Sequence, residues 1–99
     1  MINFLEQLVN IASPSGQERQ VGEFLADRLK EFGFTVTRQP VDGDRFNILA
    51  TTTHDPSILL CSHMDTVSPH IAFERRDDTV WGRGCCDAKG QITVMLTAA

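Results

Sequence analysis

The sequence is poor in several features that mark particular classes of protein. It has no tyrosine, one tryptophan, four prolines and three cysteines in 99 residues. Its nine basic residues are scattered and its formal net charge is -4, so no basic surface for nucleic acid is expected. No apolar run approaches the ~18 residues of a membrane-spanning helix. With 41% hydrophobic and 22% charged residues, the composition favours a packed globular protein with neither nucleic acid nor a membrane as partner.

The cysteines and the first residues indicate a compartment. Cys85 and Cys86 are adjacent, and with a third cysteine they form neither an even disulfide framework nor a C-x-x-C pair, which favours a reducing environment. The N-terminus has no positively charged region and soon reaches Glu6, unlike a secretory signal peptide. We therefore expect a cytoplasmic protein.

Hydrophobic periodicity predicts an α/β fold. Apolar residues recur at helical spacing over residues 4–12 and again from a capping box at Ser15–Glu18 up to Gly33. Phe34 begins a β-rich segment, and a second one covers residues 46–51. Residues 71–83 have the pattern of a hairpin.

Two further segments complete the prediction. Ile58–Cys61 is a short unbroken apolar run, typical of a strand that is buried on both faces of a central sheet. A last helix begins near Ala88, and Thr97–Ala99 lie within its pattern without a stop signal. The order of elements predicts an α/β sheet with at least one half missing, from a chain that has been cut.

His63 and Asp65 follow directly after the predicted central strand. Residues two apart in extended backbone place their side chains on one side, where both can bind a metal or one can orient the other. In open α/β sheets, sites form at the carboxyl ends of strands. The alternative is a surface histidine beside a turn that begins at the aspartate.

The second polar constellation is the glycine-rich segment Gly82–Gly90. A carboxylate at Asp87, at the mouth of a helix, is well placed to bridge two cations, although a simple helix N-cap is the alternative. A dinucleotide site is not expected, because in the motif G-x-G-x-x-G that begins at Gly82 the position of the third glycine holds Asp87. Arg83 and Lys89 either orient this loop, meet a substrate carboxylate, or are solvated.

Three ordered segments together resemble the M20 zinc metallopeptidase family, which includes acetylornithine deacetylase and succinyl-diaminopimelate desuccinylase. Ser13–Glu18 is similar to the family's S-P-S-G-x-E opening, Cys61–Val67 to its H-x-D-T-V signature, and Gly82–Gly90 to its G-R-G-x-x-D-x-K-G signature. The resemblance covers essentially the whole chain.

The resemblance implies a role for three residues. His63 would ligate one zinc ion, Asp87 would bridge two zinc ions, and Asp65 would be the active-site aspartate that orients His63. Two zinc ions in the complete site, with cobalt as a possible substitute, would activate water for hydrolysis of an amide bond. The implied substrate is an N-acyl amino acid or small peptide, as in the acetylornithine deacetylases of amino-acid metabolism.

The resemblance also implies the architecture. Residues 1–99 would be the N-terminal portion of an incomplete, mixed-sheet catalytic domain of the phosphorylase/hydrolase-like type, without the lid domain that often mediates homodimerisation. Family members carry the catalytic base in a Glu-Glu pair, and this chain has no such pair. The chain alone is therefore expected to be inactive.

Three alternatives remain at the level of sequence. Cys61, His63, Cys85 and Cys86 offer the ligand types of a structural Cys₃His zinc site. A serine nucleophile at Ser62 is poorly supported, because no G-x-S-x-G elbow surrounds it. The chain can also be a noncatalytic remnant that binds a metal weakly or associates with a partner.

Overall fold

Three helices and two separate β-hairpins make up the fold in a computed structural model that describes residues 1–99. The helices are α1 (Ile2–Val9), α2 (Arg19–Glu31) and α3 (Lys89–Ala98), and the strands are β1 (Thr35–Asp42), β2 (Arg45–Thr51), β3 (Glu74–Arg76) and β4 (Thr79–Trp81). None of the helices has the length and apolar character needed to cross a membrane.

The core lies where the three helices meet. Leu8 of α1, Val21 and Leu25 of α2 and Ile92 of α3 form one buried cluster. The four-residue spacing of Val21 and Leu25 puts both on the face of α2 that the other helices cover. Burying each of these side chains stabilises the fold by roughly 1.5–3 kcal/mol. The cluster thereby fixes α3, and with it the loop that precedes α3, against α1 and α2.

The hairpins confirm the two predicted β regions but form no common sheet. β1 pairs antiparallel with β2, and β3 pairs antiparallel with β4 with Asp77 at the tip in a left-handed conformation (φ +53°). The one parallel pairing is an isolated bridge between Pro14 and Thr66. The α/β class is thus confirmed, whereas the predicted mixed central sheet is not formed.

The prediction of a buried central strand at Ile58–Cys61 is wrong for this structure. The segment belongs to no strand, and the exposed fractions of Ile58, Leu59 and Leu60 are 79%, 80% and 53%. An apolar run becomes a buried strand only when neighbouring strands satisfy its backbone and other elements cover its faces. Neither hairpin pairs with this segment, since β1 pairs only with β2 and β3 only with β4.

The start of α2 also differs from the capping-box prediction at Ser15–Glu18. α1 begins at Ile2 and α2 at Arg19, and neither has a side-chain hydrogen bond at its N-cap. α1 ends at Val9 rather than at residue 12, so the segment from Ser13 onwards is free to contact other parts of the chain. The hydroxyl of Ser15, which the capping box would have used, contributes to the site described below.

Candidate metal centre

Two loops bring together the three residues that the sequence singles out. The His63 Nε2 atom lies 2.9 Å from Asp87 Oδ1, and its Nδ1 atom lies 3.1 Å from Asp65 Oδ1 and 3.0 Å from the Asp65 carbonyl oxygen. The side chains of His63, Asp65 and Asp87 are 51%, 36% and 80% exposed, so an ion or small molecule can reach them.

The loop that carries His63 and Asp65 is held by the segment after α1. The Thr66 amide donates to the Ser13 carbonyl oxygen at 2.8 Å, and the Ser13 hydroxyl donates to the Met64 carbonyl oxygen at 2.9 Å. Ser13 and Thr66 are both buried. The two segments run parallel through the Pro14–Thr66 bridge, which fixes the backbone on either side of Asp65.

The loop before α3 depends on close backbone packing at its glycines. Gly84 has φ +98°, and a Cβ atom there would lie 3.0 Å from Lys89 Cδ. A Cβ atom at Gly90 would overlap the Cys85 carbonyl oxygen. Glycine is the residue that accepts both conditions without strain, so this spacing of glycines shapes the loop that presents Asp87.

Lys89 anchors the same loop from inside the protein. Its side chain is buried, and its ammonium group donates to the Ile11 carbonyl oxygen at 2.6 Å. Burial lowers the pKa of Lys89 from 10.5 to about 8. The solvated alternative for Lys89 is therefore wrong. Arg83 also bonds within the chain, since its Nε donates to the Pro69 carbonyl oxygen at 3.0 Å.

Asp87 does not act as the cap of α3. The N-cap residue is Ala88, with no side-chain hydrogen bond, and the peptide bond between Asp87 and Ala88 is cis. The Asp87 carboxylate faces His63 instead. The N-cap alternative is thus wrong, and the carboxylate remains available to a cation.

The electrostatics of the site follow from these hydrogen bonds. The Asp87 carboxylate at Nε2, aided by Asp65 at Nδ1, raises the pKa of His63 above its usual 6.5. A hydrogen bond from Ser15 at 2.5 Å, together with His63, lowers the pKa of Asp65 below its usual 3.8. Each ring nitrogen of His63 faces a carboxylate oxygen, so the neutral ring can donate from Nδ1 to Asp65 or from Nε2 to Asp87. The Nδ1-protonated form is the one that leaves Nε2 free to bind a cation.

The residues present fit part of a zinc site. An imidazole nitrogen and a carboxylate oxygen are donors that zinc prefers, but a zinc site needs at least three protein ligands. No group of three or more histidine, cysteine, aspartate or glutamate side chains in the structure is arranged to hold a metal. His63 and Asp87 therefore offer two donors. The Cys₃His alternative is not formed, and the three cysteines are free thiols.

Ser15 is the residue of this site that sequence reasoning missed. The sequence suggested a helix cap, because serine three residues before glutamate is the usual capping-box signal. The position of Ser15 in the S-P-S-G segment, ahead of the H-x-D triplet, carries no local sign of a contact across 50 residues. Only the three-dimensional pairing of the two segments reveals it.

No family model matches the chain, but individual relatives do. A protein of Emericella nidulans named as a probable carboxypeptidase is 47% identical over 93% of this chain and 24% of its own length. A protein of Aspergillus terreus with the same name is 41% identical over 99% of the chain and 26% of its own length. A protein of Pyrococcus abyssi named as a LysW-lysine/LysW-ornithine hydrolase is 37% identical over 98% of the chain and 28% of its own length.

These matches extend over all the segments that form the site. The chain spans about a quarter of the length of the relatives it matches. It is therefore homologous, over nearly its whole length, to one portion of larger proteins that are named as carboxypeptidases and hydrolases.

Proposed function

We propose that this chain forms part of a metal-dependent hydrolase of the M20 type, which cleaves an amide bond in an N-acyl amino acid or small peptide. The single observation that carries the proposal is the convergence of His63, Asp65 and Asp87 from two loops into one exposed cluster. The names of the homologues support a peptidase or amidohydrolase as the reaction class.

Each of the three residues has a role that its contacts support. His63 Nε2 and the Asp87 carboxylate would hold zinc, or cobalt in its place, with Asp87 shared between two ions in the complete site. Asp65, 3.1 Å from Nδ1, would accept a hydrogen bond from it, which would keep the imidazole ring oriented and its other nitrogen basic. When bound, the metal supplies the Lewis acidity that activates a water molecule and polarises an amide carbonyl.

The remaining parts of the proposal concern the whole protein. We place it among acetylornithine deacetylase-like enzymes of the cytoplasm, with the catalytic base, further ligands and a lid or dimerisation domain outside residues 1–99. A noncatalytic interaction module is the second candidate, and the exposed apolar side chains of Ile58, Leu59 and Leu60 favour it.

Cobalt binding to the purified chain tests the site itself. Co²⁺ is added to chelator-stripped protein, and its visible absorption and stoichiometry are followed. We expect His63→Ala and Asp87→Ala each to weaken binding at least ~10-fold. The matched control His54→Ala, which replaces an exposed loop histidine, should leave binding unchanged. Equal affinity in all variants would contradict the proposed ligands.

A cysteine variant separates this site from a thiolate site. The double variant Cys85→Ser, Cys86→Ser should retain cobalt binding, because the proposed ligands are an imidazole and a carboxylate. Loss of binding in this variant, with binding retained in Asp87→Ala, would favour a structural zinc module instead.

Activity is tested on the product of the native gene isolated from its source cells. Its intact mass is measured first, and we expect a value several times the 11.0 kDa of this chain. Hydrolysis of N-acyl amino acids and of short peptides should disappear with a chelator and return with Zn²⁺ or Co²⁺. A product of 11.0 kDa without hydrolytic activity would leave the interaction module as the better account.

A further inference from the structure

The Asp65 carboxylate is held at both of its oxygen atoms. Oδ1 lies 3.1 Å from His63 Nδ1, and Oδ2 accepts a hydrogen bond from the Ser15 hydroxyl at 2.5 Å. An ionised carboxylate only accepts hydrogen bonds, so the hydroxyl is the donor. A hydrogen bond to a charged acceptor is about twice as strong as a neutral one, and it opposes rotation of the carboxylate group.

The backbone around Ser15 is fixed on both sides. Before it, Ser13 and Pro14 pair with the loop that carries Asp65. After it, the buried Glu18 carboxylate binds the Arg45 guanidinium of β2, with distances of 3.0 Å to Nε and 2.9 Å to Nη2. The position of the hydroxyl is therefore set by the fold rather than by the flexibility of a surface loop.

We propose that Ser15 is a positioning residue of the candidate metal centre: it fixes the Asp65 carboxylate, and through it the ring orientation of His63 and the balance between its two neutral tautomers. The metal-binding consequence rests on the proposed function, whereas the effect on His63 does not. Nε2 lies 2.9 Å from Asp87, and the Nδ1-protonated form of the neutral ring, which leaves Nε2 without a proton, is the form that binds a cation.

Ser15 suits a substitution test, because its own side chain is exposed and supports no core packing. Ser15→Ala removes the donor and Ser15→Thr keeps it. Ser13→Ala is the matched control. It removes another serine hydroxyl of the same segment, which is buried and donates to the Met64 carbonyl oxygen instead of the Asp65 carboxylate. A merely structural role of the segment would make the two alanine variants behave alike.

The readout is the tautomer of His63 in the chelator-treated chain, measured from its side-chain ¹⁵N shifts at a pH where the ring is neutral. We expect the ratio of the Nδ1-H form to the Nε2-H form to change several-fold in Ser15→Ala and to return to the wild-type value in Ser15→Thr. Ser13→Ala should lower the unfolding temperature but keep the wild-type ratio. An amide ¹H–¹⁵N spectrum of each variant verifies that it is folded.

Two results would overturn the proposal. An unchanged ratio in folded Ser15→Ala would mean that the Ser15 hydroxyl does not position the Asp65 carboxylate against His63. Equal changes in Ser13→Ala and Ser15→Ala would mean that the segment acts only as structure.

Cobalt titration of the same variants separates this inference from the proposed function. We expect Ser15→Ala to bind Co²⁺ ~10-fold more weakly than the wild type and Ser15→Thr to restore binding. If the wild type binds no Co²⁺ while the tautomer shifts in Ser15→Ala, the metal site fails and the positioning role stands. If Co²⁺ binds to the wild type and to Ser15→Ala with equal affinity and equal tautomer ratio, the positioning role fails and the metal site stands.

Discussion

The buried ammonium group of Lys89 makes the stability of the chain depend on pH in a defined direction. The pKa of Lys89 falls from 10.5 to about 8 in the folded chain because of burial. Each pKa unit corresponds to about 1.4 kcal/mol, so keeping this side chain charged inside the protein costs on the order of 3 kcal/mol. The hydrogen bond to the Ile11 carbonyl oxygen offsets part of the cost.

The sign follows from proton linkage. Below pH 8 the folded and unfolded chains are both protonated at Lys89, and the folded chain bears the whole cost. Between pH 8 and 10.5 the unfolded chain binds the proton that the folded chain has released, so the unfolding free energy rises with pH. Above 10.5 the cost has gone. Lys89 therefore adds roughly 3 kcal/mol of stability across this window.

The substitution Lys89→Met isolates this contribution. Urea unfolding followed by circular dichroism, in chelator at several pH values from 8 to 10.5, should show the wild type gaining stability relative to the variant. Burial raises the pKa of the Cys85 thiol and Lys89 lowers it, so Cys85→Ser is introduced into both proteins to remove the contribution of this thiol. Lys30→Met, at the exposed lysine, should follow the wild type.

One outcome would refute the reasoning. If the curves of Lys89→Met and the wild type run parallel between pH 8 and 10.5, the ammonium group is not desolvated in the folded chain. The absolute stability of the variant is less informative, since losing the Ile11 contact and losing the burial cost oppose each other.

Three further predictions use unfolding or titration measurements. Gly84→Ala should lower the unfolding free energy by roughly 2–4 kcal/mol, since Gly84 has a φ of +98° and close neighbours around its Cα. The control Gly33→Ala, at a φ of +93° with open space around it, should lower it by about 1 kcal/mol. Equal costs would contradict the close approach. Leu8→Ala, in the buried core, should lower the unfolding free energy by roughly 2–5 kcal/mol. Leu59→Ala, at an exposed leucine, should change it by no more than about 0.5 kcal/mol, and a large loss there would show that the segment is buried. In an NMR titration of the chelator-treated chain, the pKa of His63 should exceed 6.5. The stability that the protonated His63 contributes is therefore present below pH 6.5 and is lost as the pH rises through the pKa of His63 in the folded chain. A midpoint at or below 6.5 would contradict the carboxylate contacts.

Local patterns predicted the elements that depend on local contacts. The helical spacing of apolar residues before Gly33 identified α2, and the pattern of residues 71–83 identified the second hairpin. Helix faces and tight turns are encoded within a few residues. The prediction failed at Ile58–Cys61, since burial of a strand depends on neighbours that no local pattern specifies.

The candidate site shows the same division. His63 and Asp65 stand two apart, and their contact could be predicted from extended backbone alone. Asp87 was predicted to share a site with His63 and Asp65 because three sequence segments resemble, in the same order, the signatures of one family. The spacing of Asp87 along the chain did not predict it. The hydroxyl of Ser15 and the buried side chain of Lys89 escaped prediction, because their partners lie 50 and 78 positions away.

The long separation of these partners has a consequence for the order of folding. Both contacts tie the end of α1 and the segment after it to much later parts of the chain, and closing such long loops carries an entropy cost before any contact forms. Helices and hairpins form early from near neighbours, whereas contacts of this kind are completed late. The geometry around His63 therefore requires nearly the whole chain to have folded, and a transient opening between Val9 and Ser15 would release both of its anchors at once.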